Sequence, residues 1–178
     1  FNKFPGSSIV LTPEMRSTGE VMGQDKDFGM AFAKTQMAAK PSLPMEGNVF
    51  LSVKDSDKPK ALEIAKGLSE LGFSFTSTEG TAKFLNENGI KAESTLRISE
   101  GRPNVADLIK NGKVQLVINT PLGLIPRRDE NGIRQEAVSH SVPVITPLGS
   151  AYAALEGIRS LKDRKFSVNS LQDYAKAE

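Results

Sequence analysis

Asn48-Val49-Phe50-Leu51-Ser52-Val53 is an apolar run of strand length that carries a hydroxyl near its end. The segment after it reads as a helix from Pro59 to Leu71, with Leu62, Ile64, Ala65, Leu68 and Leu71 on one stripe. Asp57 can cap that helix, and Pro59 is tolerated in its first turn, where the missing N–H has no partner to lose. The same strand-then-helix unit recurs downstream. A second strand over Phe73–Thr76 leads through Thr78-Glu79-Gly80-Thr81 to a helix near Thr81–Asn88, ended by Gly89. A third strand near Ala92–Ile98 precedes a helix over Asn104–Asn111, ended by Gly112. Val114-Gln115-Leu116-Val117-Ile118-Asn119 is the strongest buried strand, and after a long loop come a helix around Ile133–His140, a fifth strand Val142–Ile145 and a last helix over Ser150–Ser160. Strands separated by helices pair in parallel through right-handed crossovers, so the predicted fold is α/β: a five-stranded parallel doubly wound sheet with helices on both faces.

Upstream of this unit the character changes. Phe1 to Gly23 show turn residues and no sustained periodicity, Asp25 to Lys40 reads as one helix, and Lys40-Pro41-Ser42-Leu43-Pro44 reads as a linker because two prolines in five residues stop a helix. Forty residues with one helix cannot close a core. Phe28, Ala31, Phe32 and Thr35 share a face of that helix, which therefore docks on the following domain or on something further away. The domain reading is accordingly residues 1–44 as a short helical piece with its linker and residues 45–178 as the α/β unit.

The composition narrows the partners. A net charge of +2 over 178 residues is too mild to imply nucleic acid. The absence of cysteine excludes disulfides, thiolate zinc sites and cysteine nucleophiles, and a single histidine argues against a histidine metal centre. No apolar stretch approaches the roughly 20 residues that cross a bilayer, and no basic-then-apolar leader pattern opens the chain, so the expectation is a soluble, cytoplasmic protein without membrane or nucleic-acid partners.

Ligands of doubly wound sheets bind at the carboxyl ends of the strands. The residues expected there are Ser52 with nearby Lys58, Thr78 and Thr81 around Gly80, Arg97, and Asn119 with Thr120. Hydroxyls and free amides at a helix N-terminus donate to phosphate oxygens, and Lys or Arg adds charge-assisted bonds. The plainer reading makes Thr-Glu-Gly-Thr an ordinary turn with Thr81 as N-cap, but four strand ends converging on one chemistry favour a phosphate or nucleotide pocket. No carboxylate or imidazole is expected beside it to act as acid or base. His140 reads as a surface histidine at a helix C-terminus, Glu79 as a solvated turn residue, and Arg127-Arg128-Asp129-Glu130 most simply as a solvated loop, with the alternative that a loop of that charge after strand four covers a bound anion.

Pro13-Glu14-Met15-Arg16-Ser17-Thr18-Gly19-Glu20-Val21-Met22-Gly23 resembles the run that closes an ATP-grasp domain in the large subunit of carbamoyl phosphate synthetases. Residues 46 to 178 resemble the C-terminal allosteric domain of the same subunit, with its methylglyoxal-synthase-like fold, on Thr78-Glu79-Gly80-Thr81, Glu100-Gly101-Arg102-Pro103, Ile118-Asn119-Thr120 and Ile133-Arg134. The resemblance implies that residues 1–44 end the second ATP-grasp half of a parent chain. It implies a glutamine-dependent ATP ligase of pyrimidine and arginine synthesis, using ATP with Mg or Mn, partnered by a small glutaminase subunit and able to oligomerise through this domain. The fragment itself needs no cofactor. Its role would be to bind UMP as inhibitor or IMP as activator. The matching positions are Ser52, Lys58, Thr78, Gly80, Thr81, Arg97 and Asn119, with Thr120 adjacent. Arg97 stands where a lysine is usual, and Pro121 replaces a threonine of some members. Thr146 matches a contact of the ornithine interface. Relatives that sense N-acetylglutamate carry a tryptophan near the Arg97 position, and this chain has no Trp.

The enzyme alternative is methylglyoxal synthase, a lyase acting on dihydroxyacetone phosphate with an aspartate base and histidines. Arg102 falls where the aspartate is expected and Arg127 where a histidine is, which leaves phosphate binding without proton transfer.

Overall fold

The computed structural model describes residues 21–120 and 127–175. Helix α1 (Phe28–Ala39) comes first, followed by β1 (Asn48–Ser52), a 3-10 turn (Asp55–Asp57), α2 (Lys58–Glu70), β2 (Ser74–Thr78), α3 (Glu79–Glu87) and β3 (Ala92–Thr95). A second 3-10 turn (Ile98–Glu100) leads to α4 (Val105–Lys110), β4 (Leu116–Asn119), α5 (Arg127–Ser139), β5 (Val144–Ile145), α6 (Leu148–Asp163) and a short α7 (Leu171–Ala175). The five strands form one all-parallel sheet in the order β3-β2-β1-β4-β5. The α/β doubly wound architecture is thus as expected.

Strand periodicity of two sorts the side chains into two layers. Val49, Leu51, Phe75 and Ile118 face one layer, closed by Ala61, Ile64 and Leu68 of α2, Leu85 of α3 and Leu155 and Ile158 of α6. Phe50 and Val117 face the other, closed by Val105 and Ile109 of α4 and Ile133 and Ala137 of α5. β1 and β4 are buried on both faces, which is why their sequences run apolar without alternation. On the α4 side the β2–β3 part of the sheet carries a cleft of about 740 Å³, lined by Thr76, Glu79, Glu93, Thr95, Leu96 and Glu100 among others.

Helix α1 packs on α6, but not through the expected face. Gly29, Met30 and Ala33 are buried, whereas Phe28 is 65% exposed and Phe32 only partly covered. The cause is close backbone approach. A Cβ added at Gly29 would lie 2.4 Å from the Glu156 carbonyl oxygen, and one added at Gly157 would lie 3.3 Å from the Gly29 oxygen. Small residues therefore make the seam and Phe28 is turned outward. Asp27 fastens the crossing: its carboxylate caps α1 at the Met30 N–H (2.9 Å) and accepts from the Ser160 hydroxyl (2.6 Å). Those two bonds, with the Ser160 hydroxyl the larger influence, hold its pKa below the ordinary carboxylate value.

Other expectations need correction at element ends. Asp57 occupies the N-cap position of α2 without making a side-chain capping bond, because its αR backbone already continues the preceding 3-10 turn. β2 extends to Thr78, so α3 begins at Glu79 with Thr78 as its N-cap, and Thr81 lies inside the first turn rather than capping it. Asp129 and Glu130 belong to the first turn of α5, not to a solvated loop. Glu130 is 7% exposed, and the Asp129 carboxylate accepts from the Ser99 N–H (3.0 Å) and hydroxyl (2.6 Å). Acidic residues are at home there because the helix dipole is positive at that end. Gly89 and Gly112 follow α3 and α4 with φ of +83° and +65°, the left-handed ends expected of them.

Candidate functional site

In the order β3-β2-β1-β4-β5 the chain reverses direction of winding between β1 and β4, and crevices form beyond the strand carboxyl ends at such a point. Ser52 and Asn119, the last residues of β1 and β4, are register partners there. Ser52 Oγ and Thr78 Oγ1 lie 3.0 Å apart, joining the end of β1 to the end of β2. Thr120 donates its N–H to the Ser52 carbonyl (3.1 Å), and its hydroxyl accepts from the Lys54 N–H (3.1 Å). The Thr81 hydroxyl reaches Val53 at 3.4 Å from its N–H and 3.5 Å from its carbonyl, both at the long limit of hydrogen bonding. Five of the expected residues, Ser52, Thr78, Thr81, Asn119 and Thr120, therefore form one buried polar cluster.

Two features show donors in this cluster held ready. Asn119 is 5% exposed, and its side-chain Nδ2 has no hydrogen-bond partner among the described residues. Leaving a buried donor unpaired costs about 1–3 kcal/mol, a cost that a hydrogen-bonding ligand would relieve. At the start of α3 the Thr78 side chain makes no capping bond, because its hydroxyl is turned to Ser52. The first-turn N–H groups are thus without a side-chain cap, and the helix dipole adds attraction for an anion. A Cβ added at Gly80 would meet nothing within 4 Å, and the residue is not at positive φ. Neither packing nor backbone conformation demands glycine there, so its smallness leaves room for something to approach the backbone.

The cations are engaged elsewhere. Lys58 Nζ lies 2.7 Å from Asp55 Oδ1 and 5.7 Å from the centre of the Phe84 ring. The bond to Lys58 draws the Asp55 pKa below the usual carboxylate value. Arg97 is half-exposed after β3, with its Nε 3.8 Å from Glu100 Oε1, while its N–H donates to Glu100 Oε2 at 2.8 Å. Thr146, directly after β5, is half-buried. Pro121 lies outside the described residues, as does the side chain of Arg127.

Arg102 and His140 are both engaged in local contacts, and the carboxylates that line the cleft are Glu79, Glu93 and Glu100. Arg102 is bound through Nε and Nη2 to the Asp107 carboxylate, and with the Asn104 N–H it pulls the Asp107 pKa down to about 2. His140 sits at the C-terminus of α5, its Nδ1 2.9 Å from the Glu136 carbonyl oxygen, as expected of a surface histidine. Among the described residues no cluster of three or more His, Cys, Asp or Glu could hold a metal ion, and no helix is long and apolar enough to cross a membrane.

Sequence reasoning missed Asp55 and Thr95. Asp55 stands three residues before Lys58, a spacing at which opposite charges meet, and that signal was available. Thr95 is the register partner of Thr78 and lines the cleft, which only the pairing of β2 with β3 reveals.

Residues 60–146 match the family model described as MGS-like domain. The chain carries an MGS-like domain. Its similarity runs further than that domain: it is 49% identical over 178 residues to the carbamoyl phosphate synthase large chain, C-terminal section, of Aquifex aeolicus, covering 97% of this chain and 33% of that one. It is 48% identical over 179 residues to the corresponding section from Methanopyrus kandleri, again covering 33% of it. With the carbamoyl phosphate synthase large chain of Acidobacterium capsulatum it shares 51% identity over 172 residues, or 16% of that relative. The chain thus resembles a part of those relatives and spans between about a sixth and a third of their length.

Proposed function

We propose that the chain is the regulatory end of the large subunit of a glutamine-dependent carbamoyl phosphate synthase, and that it binds a nucleoside monophosphate beyond the carboxyl ends of β1, β2 and β4. UMP would act as inhibitor and IMP as activator at one overlapping site. The observation that carries the reading is the buried Nδ2 of Asn119, unpaired among the described residues, on the register partner of Ser52, whose hydroxyl meets that of Thr78. Thr78, Thr81 and the α3 N-terminus would take the phosphate, with Lys58 adding charge. Asn119, Thr120 and Ser52 would meet the sugar, and Arg97 the outer edge. Residues 1–44 would close an ATP-grasp half, and residues 45–178 would be the sensor.

On this reading the chain itself performs no chemistry. ATP, its metal ion and the small glutaminase subunit belong to the cytoplasmic parent enzyme, and Thr146 belongs to an ornithine-responsive interface with the rest of it. An effector changes the parent's activity only by binding its two states unequally, typically by about 1–3 kcal/mol. Calorimetric titration of UMP and IMP into the chain tests the assignment. Saturable binding that weakens at least tenfold in Thr78→Ala and in Lys58→Ala is expected. Failure of both nucleotides to bind would sink it.

A further inference from the structure

Lys58 is the cation that the preceding reading assigns to phosphate, yet in the structure it is already spoken for. Its ammonium is 2.7 Å from Asp55 Oδ1, and its other flank faces the Phe84 ring of α3 at 5.7 Å. The Lys58 side chain is 19% exposed while that of Asp55 is 93% exposed. The acid therefore reaches in from solvent to a partly buried cation, on a 3-10 turn whose N-cap residue makes no side-chain capping bond.

We propose that Asp55 is an internal competitor for the anion: its carboxylate occupies Lys58 in the empty site and must yield it when a phosphate group arrives. The inference rests on the nucleotide reading of the same site. Its physical basis is twofold. A phosphate accepting from Lys58 Nζ would come close to a carboxylate at hydrogen-bond distance from that nitrogen, and like charges at such separations repel. The carboxylate is too exposed to serve as a rigid support that aims Lys58, since a solvated side chain is held in place only weakly. Competition therefore outweighs orientation, and Asp55 sets the affinity of the site below what its donors alone would reach. The lowered Asp55 pKa agrees with a carboxylate that stays charged across the neutral range.

The test is calorimetric titration of inorganic phosphate and of UMP into the unaltered chain and the Asp55→Asn, Asp55→Glu and Lys58→Ala variants. It is joined by mass-spectrometric measurement of the acetylation rate of Lys58 without ligand. Asn at 55 is expected to tighten both ligands by about two- to fivefold, the range set by exposed ion pairs, and to speed Lys58 acetylation. Glu at 55, which keeps the charge, is expected to stay within about twofold of the unaltered chain. Unchanged or weaker binding in Asp55→Asn, with Lys58→Ala still losing affinity, overturns the competitor role and leaves the nucleotide reading standing. Equal tightening by Asn and Glu also overturns it, since the geometry of the turn rather than its charge would be responsible. If neither phosphate nor UMP binds any form, both readings fall together.

Discussion

The hydroxyls of Ser52 and Thr78 lie 3.0 Å apart, each residue only 7% exposed, and each serves as the other's partner. A hydroxyl pair can reverse its donor at little cost, so both groups stay satisfied when the site is empty and one can turn to an incoming oxygen.

Removing one member leaves the other buried without a partner. Ser52→Ala or Thr78→Ala should each destabilise the fold by about 1–3 kcal/mol, with the double variant costing less than the sum. Urea unfolding of the three variants measures both quantities. Additive losses would show that the two hydroxyls do not depend on each other.

Gly80→Ala should separate stability from binding. No contact opposes the new methyl, and alanine is the better helix residue by about 0.8–1 kcal/mol, so unfolding should shift to higher urea concentration. If a phosphate approaches the first turn of α3, the same methyl should weaken UMP binding in calorimetry.

At the α1–α6 seam the expectation is the reverse. Gly29→Val puts its Cβ against backbone that cannot move aside and should cost about 1–3 kcal/mol or more. Phe28→Ser, a short step away on the exposed flank, should change stability by less than about 0.5 kcal/mol. Thermal unfolding of the pair discriminates seam from surface.

Acid should loosen the segment that carries Arg102. The folded pKa of Asp107 is about 2, below the unfolded carboxylate value, so its contribution is present above about pH 4 and is lost as pH falls toward 2. Asp107→Asn should flatten the stability profile in that window, read by denaturant midpoints across the acid range. A profile identical to that of the unaltered chain would contradict the Arg102–Asp107 linkage.

The purified chain should also form no methylglyoxal from dihydroxyacetone phosphate. Arg102 stands where the resemblance places the aspartate base, and a guanidinium bound to Asp107 does not take up a proton; His140 is held at the end of α5. A colorimetric assay for the product checks this.

The sheet was legible because five apolar runs alternate with helical stripes and glycine marks the ends of α3 and α4. Parallel pairing follows from that alternation alone. The cluster was legible because strand ends of such sheets are where ligands collect, and Ser52, Thr78, Asn119 and Thr120 are polar residues ending apolar runs. The exposed face of α1 was misread because bulk was taken as the mark of burial. Its true contact is made by Gly29 and Ala33, whose value lies in letting two backbones meet. The run Arg127-Arg128-Asp129-Glu130 was misread because charge suggested solvent, although charge of that sign also suits a helix start. The i,i+3 spacing of Asp55 and Lys58 allows their ion pair, but which way the two side chains turn depends on rotamers that no sequence pattern gives.

The missing side chains at Gly29 and Gly157 have a mechanical consequence. Where backbone meets backbone at Gly29 and Asp27 is riveted to Ser160, little padding separates α1 from α6, although Met30 and Leu43 fill the flanks of the joint. α6 is rooted in the sheet by Ala151, Leu155 and Ile158, so a tilt of the sheet would be delivered to the residues before α1 with little slack. A softer joint, padded with leucines, would absorb the same displacement in rotamer changes.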